Sequence, residues 1–246
     1  MALDFAARIH ALTGFDADNT GDTATGDDFD ESAAQWMTDA AREVIHVLPK
    51  ELKMKCATTT TLNNSTTTMD IDSAGDVLFV TRLSADSGGY QIPCREVSSL
   101  HGGLTTDSSS LYYASVTDPV YWVDANTSGS DGKSATLYVK PTPESTQVAN
   151  VHHIKYPTFT AGDTETYDVS QKTIIANFPD EAEYLVVLRA SITAAQYLLA
   201  QEEDAELYIP IIASLKAQYQ EGVYALKAGQ FAPIKQDIKI ARAGAK

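Results

Sequence analysis

The residues of this chain best suited to chemistry are carboxylates. Their densest run, Asp16, Asp18, Asp22, Asp27, Asp28, Asp30 and Glu31, has no basic residue among them. Asp16, Asp18, Thr20, Gly21, Asp22 and Asp27 partly follow the spacing of a helix-loop-helix calcium site, which needs oxygen ligands around a sharp glycine turn. Thr20 stands where Asp or Asn is usual and Asp27 where a bidentate Glu closes such a site, so the run reads as a solvated acidic loop. His152 and His153 are adjacent in a strand-like stretch and point to opposite faces, which prevents them from sharing a metal ion in regular β geometry. His10, His46 and His101 stand alone. Cys56 and Cys94 are too few for a disulfide scaffold or a four-cysteine zinc site and read as reduced, partly buried thiols. Asp70 with Asp72, and Asp180 with Glu181 and Glu183, could be called paired carboxylates. The first pair sits in a Thr-rich strand or turn, however, and the second group complements the positive end of a helix dipole. No nucleophile elbow, zinc-protease motif, phosphate loop or dinucleotide fingerprint occurs. The expectation is a protein without catalytic residues, metal or cofactor.

Composition narrows the alternatives. Of 246 residues 43% are apolar, enough for a folded core, while the net charge of −15 argues against nucleic-acid binding, which requires clustered Lys and Arg. Such an acidic surface suits DNA that slides past without sticking. No secretory signal is visible at the start, and the apolar stretch 184–200 contains Arg189 and Gln196 and is too short for a bilayer span. No export and no membrane association are expected.

The elements that would position these residues change in character twice, from helix to sheet and back. Leu3, Ala6, Ala7 and Ile9 give a short helix over 2–12, closed by Gly14. After the acidic loop 15–31, Asp30 or Ser32 can cap a helix whose apolar face is Ala33, Trp36, Met37, Ala40, Ala41, Val44, Ile45 and Leu48, until Pro49 interrupts it. From 58 to 172 short β-type runs alternate with turn formers, at 77–83, 91–97, 120–124, 135–140 and 148–156. The Ser-, Asp-, Asn- and Gly-rich segments 84–89 and 126–133 should be exposed loops. Asn177 is placed to cap a long helix that starts near Pro179. That helix has two apolar stripes, Leu185, Leu188, Ile192, Ala195 and Leu199 beside Tyr184, Val187, Ser191, Ala194 and Leu198. Doubled stripes suggest a neighbouring subunit in addition to the chain's own core, which nominates Tyr184, Leu185, Val187, Leu188, Ile192 and Leu198 as a subunit-interface helix. A second helix over 205–228 turns Tyr208, Ile212, Leu215, Tyr219, Val223 and Leu226 inward, contains Pro210, and ends at Gly229 to complete an αα-hairpin.

Beyond Gly229 the helical period is lost. The last twenty residues carry +4, so the remainder carries −19. Phe231, Ile234, Ile238 and Ile240 alternate with Lys235, Lys239 and Arg242, which gives a basic arm the apolar anchors that a purely solvating tail lacks; it reads first as an arm docking on an acidic partner, with a plain flexible tail and a phosphate contact as the other readings.

Several stretches resemble the head-to-tail adaptor, or neck, proteins of tailed bacteriophages. They are Asn-Phe-Pro-Asp-Glu-Ala-Glu at 177–183 leading into Tyr-Leu-Val-Val-Leu at 184–188, Ile-Pro-Cys-Arg-Glu-Val at 92–97, Ser-Leu-Tyr-Tyr at 110–113, Thr-Asp-Pro-Val-Tyr-Trp at 117–122 and Leu-Tyr-Val-Lys-Pro-Thr-Pro at 137–143. The resemblance covers about 1–228. It implies an α+β fold, a helical bundle of N-terminal helices plus the C-terminal αα-hairpin, with a large antiparallel β insertion and an extended C-terminal arm. The divisions expected are 1–56 and 174–229 for the bundle, 57–173 for the insertion and 230–246 for the arm. It also implies a structural virion protein at the neck, a homo-oligomeric ring, a dodecamer, beneath the portal protein. The arm would grip the portal, DNA would pass through a central channel without specific binding, and downstream tail or neck proteins would touch the β insertion. A competing reading from the residues is a tail-tip or fibre-attachment module in which Tyr112, Tyr113, Tyr121 and Trp122 recognise carbohydrate.

Overall fold

The computed structural model describes residues 3–15, 29–71, 75–84, 89–125, 135–159, 169, 172–201 and 205–228. The acidic run 16–28, most of both polar turn segments, the 202–204 link and the arm 229–246 lie outside these residues.

The first helix, α1 (Phe5–Thr13), starts where the Asp4 side chain accepts from the Ala7 N–H at 2.7 Å, and stops where Gly14 adopts φ +74° and returns its N–H to the His10 carbonyl. Both ends are therefore written locally, by an acceptor side chain and by a residue that reaches the left-handed region without a Cβ clash. Helix α2 (Phe29–Val47) begins earlier than the sequence indicates, so Asp30 and Ser32 lie within it instead of capping it. Its expected apolar face is correct: Ala33, Met37, Ala40, Ala41, Val44 and Ile45 are buried, with Leu48 just beyond the helix end. Phe15, taken as the start of the loop, is buried and packs against Trp36 and Tyr197 at centroid distances of 5.1 and 6.2 Å. A short helix, α3 (Lys50–Lys53), follows Pro49.

The insertion is two four-stranded sheets. One has the order β1 (Ala57–Leu62), β8 (Ala149–Ile154), β3 (Val77–Leu83), β4 (Gln91–Pro93), and the other β2 (Thr68–Asp70), β7 (Ala135–Lys140), β6 (Val120–Ala125), β5 (Arg95–Glu96). All pairings are antiparallel except β5 with β6, which is parallel. The run expected as one strand over 91–97 is thus two strands in different sheets. The chain crosses over between Cys94, whose N–H bonds the Val80 carbonyl, and Arg95, whose N–H bonds the Pro119 carbonyl. Alternate residues face the space between the sheets: Leu62, Val80, Ala149 and Val151 from one, Tyr121, Leu137 and Val139 from the other, all buried. That period of two is what a half-covered sheet face requires.

Helix α4 (Asp180–Gln201) occupies the centre of the helical body and packs against α1, α2 and α5 (Ala205–Lys227), the last pair forming the expected hairpin. Asn177 does not cap it. It sits at φ +53° in the turn before the helix, and Pro179 immediately precedes the first helical residue. Pro210 lies inside α5. The body and the insertion share a boundary at Cys56 and Ile154, both fully buried in the helical core, where the first strand leaves and the last returns. Phe159 continues from that return and meets Phe5 edge-on at 5.7 Å.

Candidate assembly surfaces

Only the outside of α4 can meet another molecule, and little of it is outside. Leu185, Val187, Leu188 and Ile192 are at most 7% exposed, Leu198 is half-buried, and Tyr184 alone among the nominated subunit-interface residues reaches 37%. Most of both apolar stripes is covered within the chain by α1, α2 and α5, so the doubled stripe marks a central helix and does not by itself require a second subunit. What remains open beside it is a groove of about 550 Å³ between α1, α4 and α5. Leu3, Leu12, Tyr184, Val187, Leu188 and Ala225 form its apolar walls, and Arg8, Gln218 and Glu221 its polar positions. Gly222 in α5 sets its depth: a Cβ there would lie 2.5 Å from both Leu185 Cδ2 and the Tyr184 hydroxyl, so the two helices approach as closely as a bare Cα permits. Arg8 is committed elsewhere. Its guanidinium pairs with Glu183 at 2.8 Å, and Glu183 also accepts from the buried Ile175 N–H at 3.2 Å, tying α1 and the 174–175 connector to the start of α4.

A second set of ties joins α2, α4 and α5. Glu43 accepts from Arg189 Nε at 2.6 Å and from the Tyr219 hydroxyl at 3.2 Å. Burial, together with the Glu43 carboxylate, pushes the Tyr219 phenol up to about 12. Lys55 donates to Glu181 at 2.8 Å, and this bond holds the Glu181 carboxyl below its ordinary range.

The insertion presents a different surface. The connection from β5 to β6 winds through 3-10 turns over Ser99–Thr106, and it leaves Leu100 and Leu111 each 87% exposed, with Leu104, Tyr113 and Val116 exposed beside them. Its base is fixed by Val97, Ala114, Val120 and Trp122, and Gly102 lies so close over the Trp122 indole that a Cβ would come within 2.8 Å of it. His101 stacks on Tyr112 at 4.0 Å and Arg95 pairs with Asp118 at 2.9 Å. Exposed apolar side chains on an anchored loop mark a contact surface. No periodicity betrays it in the sequence; the available signal is leucine at 100, 104 and 111 amid Gly, Ser and Thr. Ser84, expected in an exposed loop, is buried, next to Arg82, which is 1% exposed and bonds the carbonyls of Pro141 and Thr142.

The aromatic residues considered for carbohydrate recognition are divided. Tyr121 and Trp122 are buried, with Trp122 stacked on Tyr138 at 5.3 Å, and only Tyr113 is exposed. The histidines are engaged in packing and polar contacts. His152 bonds Thr59 and stacks on Phe79, burial lowering its pKa, while His153 on the opposite face bonds Thr60. His10 meets the Phe15 carbonyl and His46 the Tyr156 ring. Asp70 accepts from Thr136. Cys56 and Cys94 are free, and burial pushes their thiols up to about 11 and about 12. Among the described residues no three His, Cys, Asp or Glu side chains are placed to hold a metal ion, and no helix is long and apolar enough to cross a membrane. The acidic run with calcium-like spacing and every residue of the nominated arm, Phe231, Ile234, Lys235, Ile238, Lys239, Ile240 and Arg242, are outside the described residues.

No curated protein matches the chain. The model of one protein family, described as SU10 adaptor protein, matches residues 5–234, which span the helical body, the whole β insertion and the first residues of the arm. With nearly its whole length matched, the chain belongs to the SU10 adaptor protein family.

Proposed function

We propose that the chain is a head-to-tail adaptor at the neck of a tailed phage, assembled as a ring beneath the portal. Its family is one of phage structural adaptor proteins, which is not an enzyme class and makes the chain a virion component. The observation that carries the reading is that membership, which runs through body and insertion alike.

In this reading the α4-centred body forms the ring, a dodecamer, with Tyr184 and the Leu198 edge of α4 facing the neighbouring copy. Leu185, Val187, Leu188 and Ile192 fix that helix from within. The exposed leucine loop of the insertion meets a downstream tail or neck protein. The arm 230–246 docks on the portal, its Lys235, Lys239 and Arg242 meeting acidic groups and its Phe231, Ile234, Ile238 and Ile240 entering apolar recesses. A charge of −19 on residues 1–226, helical body and insertion together, would leave the channel walls repelling DNA, so that DNA passes without being held. The mass of the purified protein by light scattering, alone and with the portal protein of the same phage, tests this. A ring that forms alone or on the portal is expected. A monomer indifferent to the portal sinks the reading, and portal binding unchanged after deletion of 230–246 sinks the role of the arm.

A further inference from the structure

The groove between α1, α4 and α5 is apolar, open and uncovered by any described residue of the chain, and it lies where the arm begins. Its α5 wall runs from Gln218 to Ala225, and α5 ends at Lys227, two residues further on, with the arm following in the sequence. We infer that in the unassembled subunit this groove is the resting site of the chain's own arm, with Phe231 and Ile234 seated in it and Lys235 against Glu221.

Length, charge and chemistry converge on that occupant. The α5 wall is about 10 Å long at 1.5 Å per helical residue. Residues 231–235, run back in extended form at about 3.3 Å each, cover about 13 Å. Between the helix and the arm the sequence has Gly229, the residue type that most readily lets a chain reverse at a helix end. A 550 Å³ groove has room for one phenylalanine and one isoleucine side chain. Glu221 is the single acidic group of the lining, and among the described residues it has no ion-pair partner, since Arg8 is taken by Glu183. The arm supplies the missing cation. Tethering a few residues away raises the arm's effective concentration at its own groove to the millimolar range, ahead of any free competitor. The portal then acquires the arm only by outcompeting this seat, so an unassembled subunit does not display its apolar anchors.

Trypsin is the probe, because Lys235 and Lys239 lie in the arm. On the isolated full-length chain, cleavage at these two lysines is followed by mass spectrometry, with cleavage at Lys227 in α5 as an internal report of unfolding. Proteolysis tracks the open population, so an arm seated about 90% of the time is cut about tenfold more slowly than a free one. Filling the groove mouth with charge, Leu3→Asp with Leu12→Asp, is expected to release that protection. Phe231→Asp with Ile234→Asp is expected to do the same without touching the folded body. Equal cleavage in the parent and the arm variant overturns the inference. Protection that survives the groove variant places the arm elsewhere and also overturns it, and protection that grows with protein concentration assigns the groove to a neighbour's arm instead.

Discussion

Gly222→Ala offers a test in which two well-defined effects oppose each other. In a helix interior alanine is favoured over glycine by about 1 kcal/mol, so the exchange in α5 alone would stabilise. The added Cβ would meet Leu185 Cδ2 and the Tyr184 hydroxyl at 2.5 Å. Tyr184 is 37% exposed and its hydroxyl can swing outward, but Leu185 is fully buried and has nowhere to go. Overpacking of this kind costs about 1–3 kcal/mol, so the net expectation is a loss of about 1 kcal/mol. For a chain of this size that lowers Tm by about 2–4 °C, read by calorimetry at one fixed protein concentration. The partner substitution decides the cause. Leu185→Ala alone should cost about 2–5 kcal/mol through the cavity it leaves. Adding Gly222→Ala to it should stabilise by about 1 kcal/mol, because the helix preference survives and the obstacle is gone. Tyr184→Phe should leave the effect of Gly222→Ala within about 0.5 kcal/mol of its original value, as for an uncoupled site. The reasoning is refuted if Gly222→Ala stabilises the parent protein, or acts with the same sign in the parent and the Leu185→Ala background.

Gly102→Ala should cost about 1–3 kcal/mol in thermal unfolding, since the Trp122 ring it would strike is itself clamped against Tyr138. Neither thiol should react with an alkylating reagent at pH 8 in the native protein, whereas both should in urea, because burial raises Cys56 and Cys94 to about 11 and about 12. Raised folded-state values contribute stability that is complete below the unfolded pKa and is lost as pH climbs to the folded one. The unfolding midpoint should therefore fall from pH 9 upward through the thiols, and between 10 and about 12 through Tyr121 and Tyr219, with Tyr219→Phe flattening the upper limb. Arg189→Ala should cost less than about 1 kcal/mol in a urea titration despite its 2.6 Å bond to Glu43, both side chains being about a third or more exposed.

Legibility followed the range of the interactions. Helix α1 stops at a Gly that acts within four residues of itself, and α2 keeps its inward face at a period the sequence displays, so the end of the one and the face of the other are legible; their starts are not, since the expected range 2–12 begins three residues before Phe5, where Asp4 caps, and α2 begins early, at Phe29. Strands β1 and β2 look like a threonine-rich stretch in the sequence because they are defined by distant partners, Leu62 opposite Ala149 and Met69 opposite Leu137. The split of 91–97 between two sheets depends on which carbonyl each of two consecutive amides finds, Val80 or Pro119, and nothing within the segment encodes that choice. The leucine loop was invisible for a related reason: its leucines are recognisable as exposed only after Gly102 and Trp122 have fixed how the loop lies.

The same distinction applies to α4, most of whose stripe residues are buried within the chain while Tyr184 stays exposed. An apolar stripe states that a face is covered, and it is silent on whether the cover belongs to the same chain. For α4 the cover is α1, α2 and α5, and the close approach at Gly222 that completes it also leaves the groove whose walls the stripe residues Tyr184, Val187 and Leu188 share. Buried and groove-lining positions are thus adjacent on one helix, so substitutions at Leu185 report on stability while those at Leu3 and Leu12 test the groove. An assembly defect from Leu185→Ala would then be ambiguous, and one from Leu12→Asp with an unchanged melting temperature would not.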